Sequence, residues 1–348
     1  MPITFPSSVA IVFDETALVD PGGGDVGATE RAAVEAVGAV IDDVAAVALA
    51  RGARVERVAL SADGPTFLRQ VAALDVEVVV NFAETWAGRA DREAAVGWAL
   101  EARGIPYSGA PPRALTLCLD KPTTRAVLAA RNVAVAEGVV LRAAEEPWPR
   151  DVPPDGAWIV KPAAQDASHG IDSDSVVEGA EAARARAARL FSRGLGPALV
   201  ERYIDGRELN VSMVELSGGP PRVLPVAEIV YGPMPAGGPR ILTFASKWDP
   251  ESADYHASVS VEAGDLSSTL RAEIERTALA AWQALGLRGY GRVDLRVDRA
   301  GCPFVIDVNP NPDLSRDAGL ALAASRAGIE YATLIEGLVV GALHARDR

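Results

Sequence analysis

Apolar and polar positions follow two rhythms along the chain. Val9 to Phe13, Val55 to Leu60 and Val76 to Phe82 are short, nearly continuous apolar runs, the pattern of strands covered on both faces. Between the first two, Ala28 to Arg51 is rich in Ala and Val with charged residues spread through it, and it stops before Gly52; it predicts a helix. Another helix ends at Arg103, and Gly104 to Gly109 forms a tight strand and turn. Strand–helix–strand alternation predicts a parallel α/β region. Beyond Leu119 the elements no longer alternate so regularly. Strands are expected at Trp158–Val160, Ala198–Ile204, Glu208–Val214 and Val223–Val230, with a turn at Asp205-Gly206. Helices are expected from Lys121 to Arg131, Glu178 to Arg193, Leu266 to Leu285, Leu320 to Ala327 and Tyr331 to His344. Tyr290 to Leu314 reads as two strands joined by the turn Asp298-Arg299-Ala300-Gly301. The fold class is α/β followed by α+β.

Composition bounds the class of protein. With 348 residues, two or three domains of roughly 100–150 residues are expected. The 49% hydrophobic and 23% charged content is that of a globular protein with a sizeable core. The net charge of −13 and the absence of any basic run argue against a nucleic-acid or anionic-membrane partner. Cys118 and Cys302 lie far apart in apolar surroundings, as expected of reduced, buried thiols rather than a disulfide framework. His169, His256 and His344 have no metal-ligand spacing. No N-terminal segment reads as a signal peptide and no apolar run reaches about 18 residues, so a cytoplasmic location is expected.

The candidate chemistry starts at the C-terminal pair of strands. Arg292 and Asp294 stand two residues apart on the first strand, Asp307 and Asn309 two apart on the second. Side chains on a strand alternate faces, so each pair points one way, and in a hairpin the pairs converge. Two carboxylates, an amide oxygen and a guanidinium on one patch outline a magnesium–phosphate site, because Mg²⁺ takes hard oxygen ligands and is usually held by one or two carboxylates plus substrate phosphates. Asp120-Lys121-Pro122 is a helix start with Asp as N-cap and Pro in the first turn. A lysine there opposes the helix dipole unless an anion binds nearby, which makes Lys121 a candidate phosphate contact. Lys161 ends a strand and precedes a loop of small residues, a place suited to gripping phosphate. Ile241 to Tyr255 is a long polar segment carrying Lys247, the kind of loop that closes over an active site. Asn81 to Glu84 lies beyond the carboxyl end of a strand, where open α/β sheets bind ligands.

Several of these stretches resemble the ATP-grasp superfamily, in particular its D-alanine–D-alanine ligase-like branch. GRVDLRVD followed by FVIDVNPNPDLS looks like the C-terminal signature of that branch, GIPYSG and Leu119-Asp120-Lys121 like its earlier segments, KPAAQDASHGI like its glycine-rich flap, and VERYIDGREL like its adenosine-binding hinge. The resemblance runs from about Asn81 to the C-terminus. It implies an ATP-grasp fold with an N-terminal parallel α/β (pre-ATP-grasp) domain, divided here as 1–117, 118–197 and 198–348. It further implies adenine recognition at Glu201 and the backbone at Tyr203 and Ile204, ribose binding by Glu208, a flap contact from Ser168, and a lid in which Lys247-Trp248 closes over the γ-phosphate. Asp294, Asp307 and Asn309 would hold Mg²⁺, Lys121, Lys161 and Lys247 would neutralise the triphosphate, and Arg292 would stabilise a tetrahedral oxyanion. The implied reaction is ATP-dependent carboxylate–amine ligation through an acylphosphate.

The same resemblance marks departures. Asp166 and Ala167 stand where the flap pattern has a glycine and its first serine, Trp248 stands for the tyrosine after the lid lysine, and Phe13-Asp14-Glu15-Thr16 replaces the glutamate-bearing run after the first strand. In the ligases that serine, tyrosine and glutamate hold the first D-alanine. A different amino acid or a peptide is therefore expected as substrate, with Glu84 or Glu15 receiving an ammonium and Asp313 and Arg316 shaping the far end, Arg316 as a carboxylate clamp. The expected partners are ATP and small amino-acid or peptide substrates; self-association into a homodimer is left open. Two other readings stay open: a D-alanine–D-alanine ligase proper, and an ATP-binding regulatory protein without turnover, the latter motivated by Asp166 and Ala167.

Overall fold

The computed structural model describes residues 4–17, 28–165, 168–232, 238–243, 245–246, 252 and 257–344. The expected lid residues Lys247 and Trp248 and the flap residues Asp166 and Ala167 lie outside the described residues.

The first sheet is parallel. Ser8–Asp14 (β1), Arg54–Leu60 (β2) and Val78–Asn81 (β3) lie in the order β2-β1-β3, with Tyr107 bridging alongside Val79. Ala28–Ala50 (α1), Gly64–Ala73 (α2) and Glu93–Arg103 (α3) cover it. Alternation divides β1: Val9, Ile11 and Phe13 join one core with Ile41 and Val44 of α1, while Ala10 and Val12 join a second with Phe67 and Val71 of α2 and Leu100 of α3. The first core is completed from the other end of the chain, by Gly319–Arg326 and Tyr331–His344, through Leu320, Leu334 and Leu338. The α/β pattern of the opening residues is thus borne out, and its outer layer comes from the C-terminal helices.

Pro112–Leu119 (α4) and Lys121–Ala130 (α5) follow, separated by Asp120, whose carboxylate accepts from Thr123 N at 3.0 Å as the expected N-cap. The expected domain boundary at residue 117 falls inside α4, whose Ala114, Leu115 and Cys118 are core residues of the last sheet.

Gly138–Leu141 (β4), Ala157–Pro162 (β5), Val176–Glu178 (β6) and Ala198–Arg202 (β7) form an antiparallel sheet ordered β4-β7-β5-β6, backed by Gly179–Ser192 (α6) through Ala183, Ala187 and Leu190. The last sheet contains Arg207–Val214 (β8), Arg222–Val223 (β9), Ala227–Tyr231 (β10), Ser258–Glu262 (β11), Tyr290–Val297 (β12) and Pro303–Asn309 (β13), ordered β11-β10-β8-β12-β13 with β9 beside β8. One face, carrying Leu209, Val211, Met213, Val293 and Leu295, packs on Ser268–Leu285 (α7). The other face faces the four-stranded sheet and carries the polar side chains. The closing helices Gly319–Arg326 and Tyr331–His344 are α8 and α9.

Three expectations change. The strands on either side of Asp205-Gly206 are not a hairpin: β7 pairs with β4 and β5, β8 with β10 and β12. The chain therefore crosses between sheets at 203–206, a few residues past the expected boundary at 197. Gly206 is obligatory there, since a Cβ would collide with the Val297 carbonyl. The strand expected at Val223–Val230 is split into β9 and β10, with Pro225, which has no N–H to donate, in the gap. Cys302 is exposed, because it closes the turn before β13 and its N–H is tied to Asp298 Oδ1 at 2.8 Å; Cys118 is buried as expected.

Candidate active site

Period-two alternation on the last sheet sets out the site. β8 presents Glu208, Asn210 and Ser212; β12 presents Arg296, Asp294 and Arg292 directly opposite them. On the other side of β12, Arg292 faces Asn309 and Asp294 faces Asp307. The four residues singled out in the sequence are direct cross-strand neighbours on one face. The register slips between Asp294 and Leu295, so that Ile306 is an extra residue of β13. That bulge frees the Ile306 carbonyl, which accepts from Lys161 Nζ at 3.1 Å.

Each acid of the row has a base. Arg292 forms a bidentate pair with Asp294, Nε to Oδ1 at 2.7 Å and Nη2 to Oδ2 at 2.9 Å, and Asn210 Nδ2 donates to the same Oδ1 at 2.8 Å. Burial acts to lower the Arg292 pKa, but the charges of Asp294, Asp307 and Glu208 hold it above its ordinary value. Lys121 Nζ, on α5, reaches Asp307 Oδ1 at 3.0 Å. Lys161 Nζ, on β5, pairs with Glu201 Oε2 at 2.6 Å, and Arg125 Nε stands 2.7 Å from Glu201 Oε1. Arg296 Nη2 pairs with Glu208 Oε2 at 2.7 Å, which also accepts from Tyr231 OH at 2.8 Å. Burial beside Glu208 raises the Tyr231 pKa well above the usual phenol value, so this hydroxyl stays a donor. Lys121, Lys161, Glu201, Glu208, Asp294 and Arg296 are all buried. Asn309 Oδ1 accepts from Asn311 N at 3.0 Å, an Asx turn that fixes the amide and leaves its oxygen a second lone pair.

The hinge residues gather at one end of this row. The Ile204 carbonyl accepts from Arg296 Nη1 at 2.9 Å, and the Tyr203 ring lies 4.9 Å from the Arg296 guanidinium. A cavity of about 430 Å³ opens there, lined by Glu208, Tyr231 and Arg240 among others. Ser168 is part-exposed in the turn after β5, with a left-handed φ of 60°.

The expected substrate groups divide. Glu84 is exposed at the end of β3, and its charge, with those of Glu93 and Asp313, acts on Tyr290, whose pKa is raised first by burial and then by these acids. Tyr290 OH donates to Asn311 Oδ1 at 2.6 Å, and Asn311 Nδ2 donates to Glu93 Oε1 at 3.0 Å. Glu15 is tied locally, accepting from Ala62 N at 2.6 Å. Asp313 likewise accepts from Ser315 N at 2.8 Å and Ser315 Oγ at 2.6 Å. Arg316, expected as a carboxylate clamp, instead forms a bidentate pair with Asp43 of α1 at 2.8 and 2.9 Å and stacks 4.3 Å from the Tyr331 ring. Its fork of donors is already matched by a carboxylate.

Sequence reasoning missed Arg125, Asn210 and Arg296. The signals were present: Arg125 lies four residues after Lys121 on one helix face, and Asn210 and Arg296 continue the period-two rows begun by Glu208 and Asp294.

The chemistry available is that of hard oxygen donors beside buried cations. Among the described residues no three His, Cys, Asp or Glu side chains gather to hold a metal ion. The donor set is instead two carboxylates and an amide oxygen, which fits Mg²⁺ completed by phosphate oxygens.

The family described as D-ala D-ala ligase C-terminus matches residues 157–340. A D-alanine–D-alanine ligase of Anaeromyxobacter sp. is 31% identical over 297 residues, covering 84% of this chain and 87% of that protein. An uncharacterized protein of Sinorhizobium fredii is 32% identical over 243 residues, covering 69% of this chain and 67% of the other. In fold, the Bacillus anthracis D-alanine–D-alanine ligase crystallised with ATP superimposes with a TM-score of 0.71 at 20% identity, covering 98% of each chain.

Proposed function

Because the chain belongs to the D-alanine–D-alanine ligase family and has its ATP-grasp fold, we propose that the row from Glu208 to Asn309 is its ATP and magnesium site. The protein is an ATP-dependent carboxylate–amine ligase that forms ADP and phosphate, so the reading as an ATP-binding protein without turnover is not favoured. The observation that carries the site is the cross-strand register that sets Asp294 against Asp307 and Arg292 against Asn309, with Lys121 and Lys161 reaching in from α5 and β5.

In this reading Glu201, Tyr203, Ile204 and Glu208 take the adenosine. Lys121 and Lys161 then exchange part of their present pairing with Asp307 and Glu201 for the phosphate oxygens. Asp294, Asp307 and Asn309 would hold Mg²⁺, which would supply charge neutralisation for the phosphates. A substrate carboxylate attacks the γ-phosphorus and ADP leaves, giving an acylphosphate. A neutral amine attacks the acyl carbon, and the tetrahedral intermediate expels phosphate, which carries away the proton that the amine nitrogen gives up. Arg292, held in plane by Asp294, presents its remaining N–H groups to the oxyanion. Lys247 from the segment after β10 closes over the γ-phosphate, and Ser168 contacts it from the flap. No side-chain nucleophile is required. The three-part division at 1–117, 118–197 and 198–348 serves as an approximate outline, with ATP between the last two parts.

The named relatives make D-alanine the first substrate to try, but this chain has Ala167 and Trp248 where the ligases hold the first D-alanine, and its Glu15 is engaged by Ala62 and Ser61. A different amino acid or a dipeptide is the better candidate, its ammonium directed to the acidic surround of Tyr290 that includes Glu84. The test is ADP release with D-alanine alone against a panel of L-amino acids and dipeptides. Release stimulated by a member of the panel is the expected result. Efficient D-alanyl-D-alanine formation, with a KM in the ordinary range of roughly 1 μM to 1 mM, would reject this substrate reading.

A further inference from the structure

Arg296 is a buried cation that none of these steps uses. It lies two residues beyond Asp294 on β12, directly across from Glu208, and is 4% exposed. One guanidinium binds three separate parts of the chain. Nη2 donates to Glu208 Oε2 on β8 and to the Arg240 carbonyl in the segment after β10. Nη1 donates to the Ile204 carbonyl in the crossing between the sheets. The plane of the group lies over the Tyr203 ring, and Tyr203 OH in turn accepts from Arg240 N at 3.1 Å. Tyr231 OH completes the set on Glu208. Glu208, Tyr231 and Arg240 of this knot also line the cavity of about 430 Å³.

The geometry matters because guanidinium donors point in fixed directions in one plane. The Glu208 carboxylate and the Ile204 and Arg240 carbonyls are thereby registered to one rigid group. Without it, the Glu208 carboxylate keeps, among the described residues, only the Tyr231 hydroxyl, and the crossing loses the hydrogen bond from Arg296 to the Ile204 carbonyl. A lysine would neutralise Glu208, but its single ammonium lacks the separate Nη1 and Nη2 positions from which Arg296 reaches the Ile204 and Arg240 carbonyls.

We propose that Arg296 is the positioning residue of the nucleoside pocket: it fixes Glu208, the Ile204 carbonyl and the Tyr203 ring in the arrangement that binds the nucleotide, and so sets nucleotide affinity without acting in the transfer steps. This rests on the placement of adenosine at Glu201 to Glu208 proposed above. It goes beyond it, because that placement gives Arg296 no part.

The test uses the full chain with Arg296→Lys, Arg296→Met, Glu208→Gln and the Arg296→Lys/Glu208→Gln double variant. ADP affinity is measured by calorimetry in Mg²⁺, steady-state constants are measured with the best substrates of the amino-acid panel, and unfolding is followed by heat. Arg296→Lys is expected to weaken ADP and raise the ATP KM about tenfold, while kcat and the amino-acid KM move less than about threefold. The double variant is expected to add little to Glu208→Gln alone, because the two side chains act as a unit. If Arg296→Met does not fold, Arg296→Lys decides. Unchanged ADP affinity in Arg296→Lys, or a parallel loss of stability, kcat and both KM values, overturns the proposal. If Glu208→Gln leaves ADP affinity unchanged, the adenosine placement fails and the proposal with it. If Glu208→Gln weakens ADP while Arg296→Lys does not, only the role of Arg296 falls.

Discussion

Replacing Asp307 by Asn separates the chemistry of the site from its stability. The Asp307 side chain is 40% exposed, whereas Lys121, which reaches it at 3.0 Å, is 8% exposed. The amide keeps an oxygen acceptor for Lys121 Nζ but loses the charge. Solvent screens the exposed partner, so the cost to folding is about 1 kcal/mol rather than the larger penalty of a fully buried pair. The expected fall in melting temperature is a few degrees, about 1–3 °C for a chain of this size. Catalysis should suffer far more. An anionic oxygen ligand directly opposite Asp294 is lost, and metal positioning of developing phosphate charge is worth several kcal/mol. At about 1.4 kcal/mol per factor of ten, a loss of about 3–4 kcal/mol cuts turnover by roughly a hundred- to a thousandfold. The assay is ADP release with saturating ATP, run beside circular dichroism and a thermal melt. Turnover within about threefold of the parent, in a variant that melts normally, would refute the assignment of Asp307 as a metal ligand.

Glu208→Ala is expected to raise the ATP KM by an amount equivalent to about 1–3 kcal/mol through lost charge-assisted hydrogen bonds, with a smaller effect on the amino-acid KM; an unchanged ATP KM would move the nucleotide elsewhere. Asp14 is buried at the end of β1 and accepts from Thr85 Oγ1 at 2.6 Å, Gly88 N at 2.9 Å and Thr16 N at 3.0 Å. Burial pushes its pKa up, but these hydrogen bonds outweigh it and hold the pKa below 3.8. Its contribution to stability is therefore present above that value and is lost as pH falls through the lowered one. Asp14→Ala should lower the melting temperature at neutral pH and flatten its dependence on pH on the acid side of 3.8; an unaltered acid limb in the melts would contradict this. Gly206→Ala should cost about 1–3 kcal/mol, since the Val297 carbonyl must shift to admit a methyl group, and a thermal melt at the parent temperature would show the close approach to be dispensable.

Much of the site was legible because it rests on the simplest periodicity there is. The pairs Arg292/Asp294 and Asp307/Asn309 needed only alternation and a turn at Asp298 to be placed on one face, and β12 and β13 follow that pattern to their ends. What was not legible depends on pairing between distant segments. Asp205-Gly206 carries the same turn signal in a hairpin as in a crossing between sheets, and only the partners of β7 and β8 decide between them. The bulge at Ile306 lies inside an unbroken apolar run, so nothing in Phe304-Val305-Ile306 announces which carbonyl is turned out to Lys161. Arg316 looked available because its partner, Asp43, is 273 positions away. Cys302 sits in an apolar stretch but on a turn, and its exposure follows from the turn.

The balance of charge explains how an acidic chain can present a site to an anion. Asp294, Asp307, Glu201 and Glu208 are four carboxylates; Arg292, Lys121, Lys161, Arg125 and Arg296 are five cations paired with them. The paired set carries one positive charge in a chain whose net charge is −13. Pairing is what permits so many ionic groups to be buried, since each would be costly alone. It also keeps the lysines extended and aimed before any ligand arrives, which reduces the ordering cost of binding. A triphosphate entering such a site competes with carboxylates for Lys121 and Lys161. In the proposed reading Lys121 turns from Asp307 to phosphate, and a bound Mg²⁺ would supply the charge that Asp307 then lacks. The excess of acids that produces the net charge lies elsewhere, on surfaces such as those bearing the exposed Asp75 and Glu145, where water screens them. An overall negative charge therefore constrains the surface of this protein and leaves the electrostatics of the cleft to the pairs that line it.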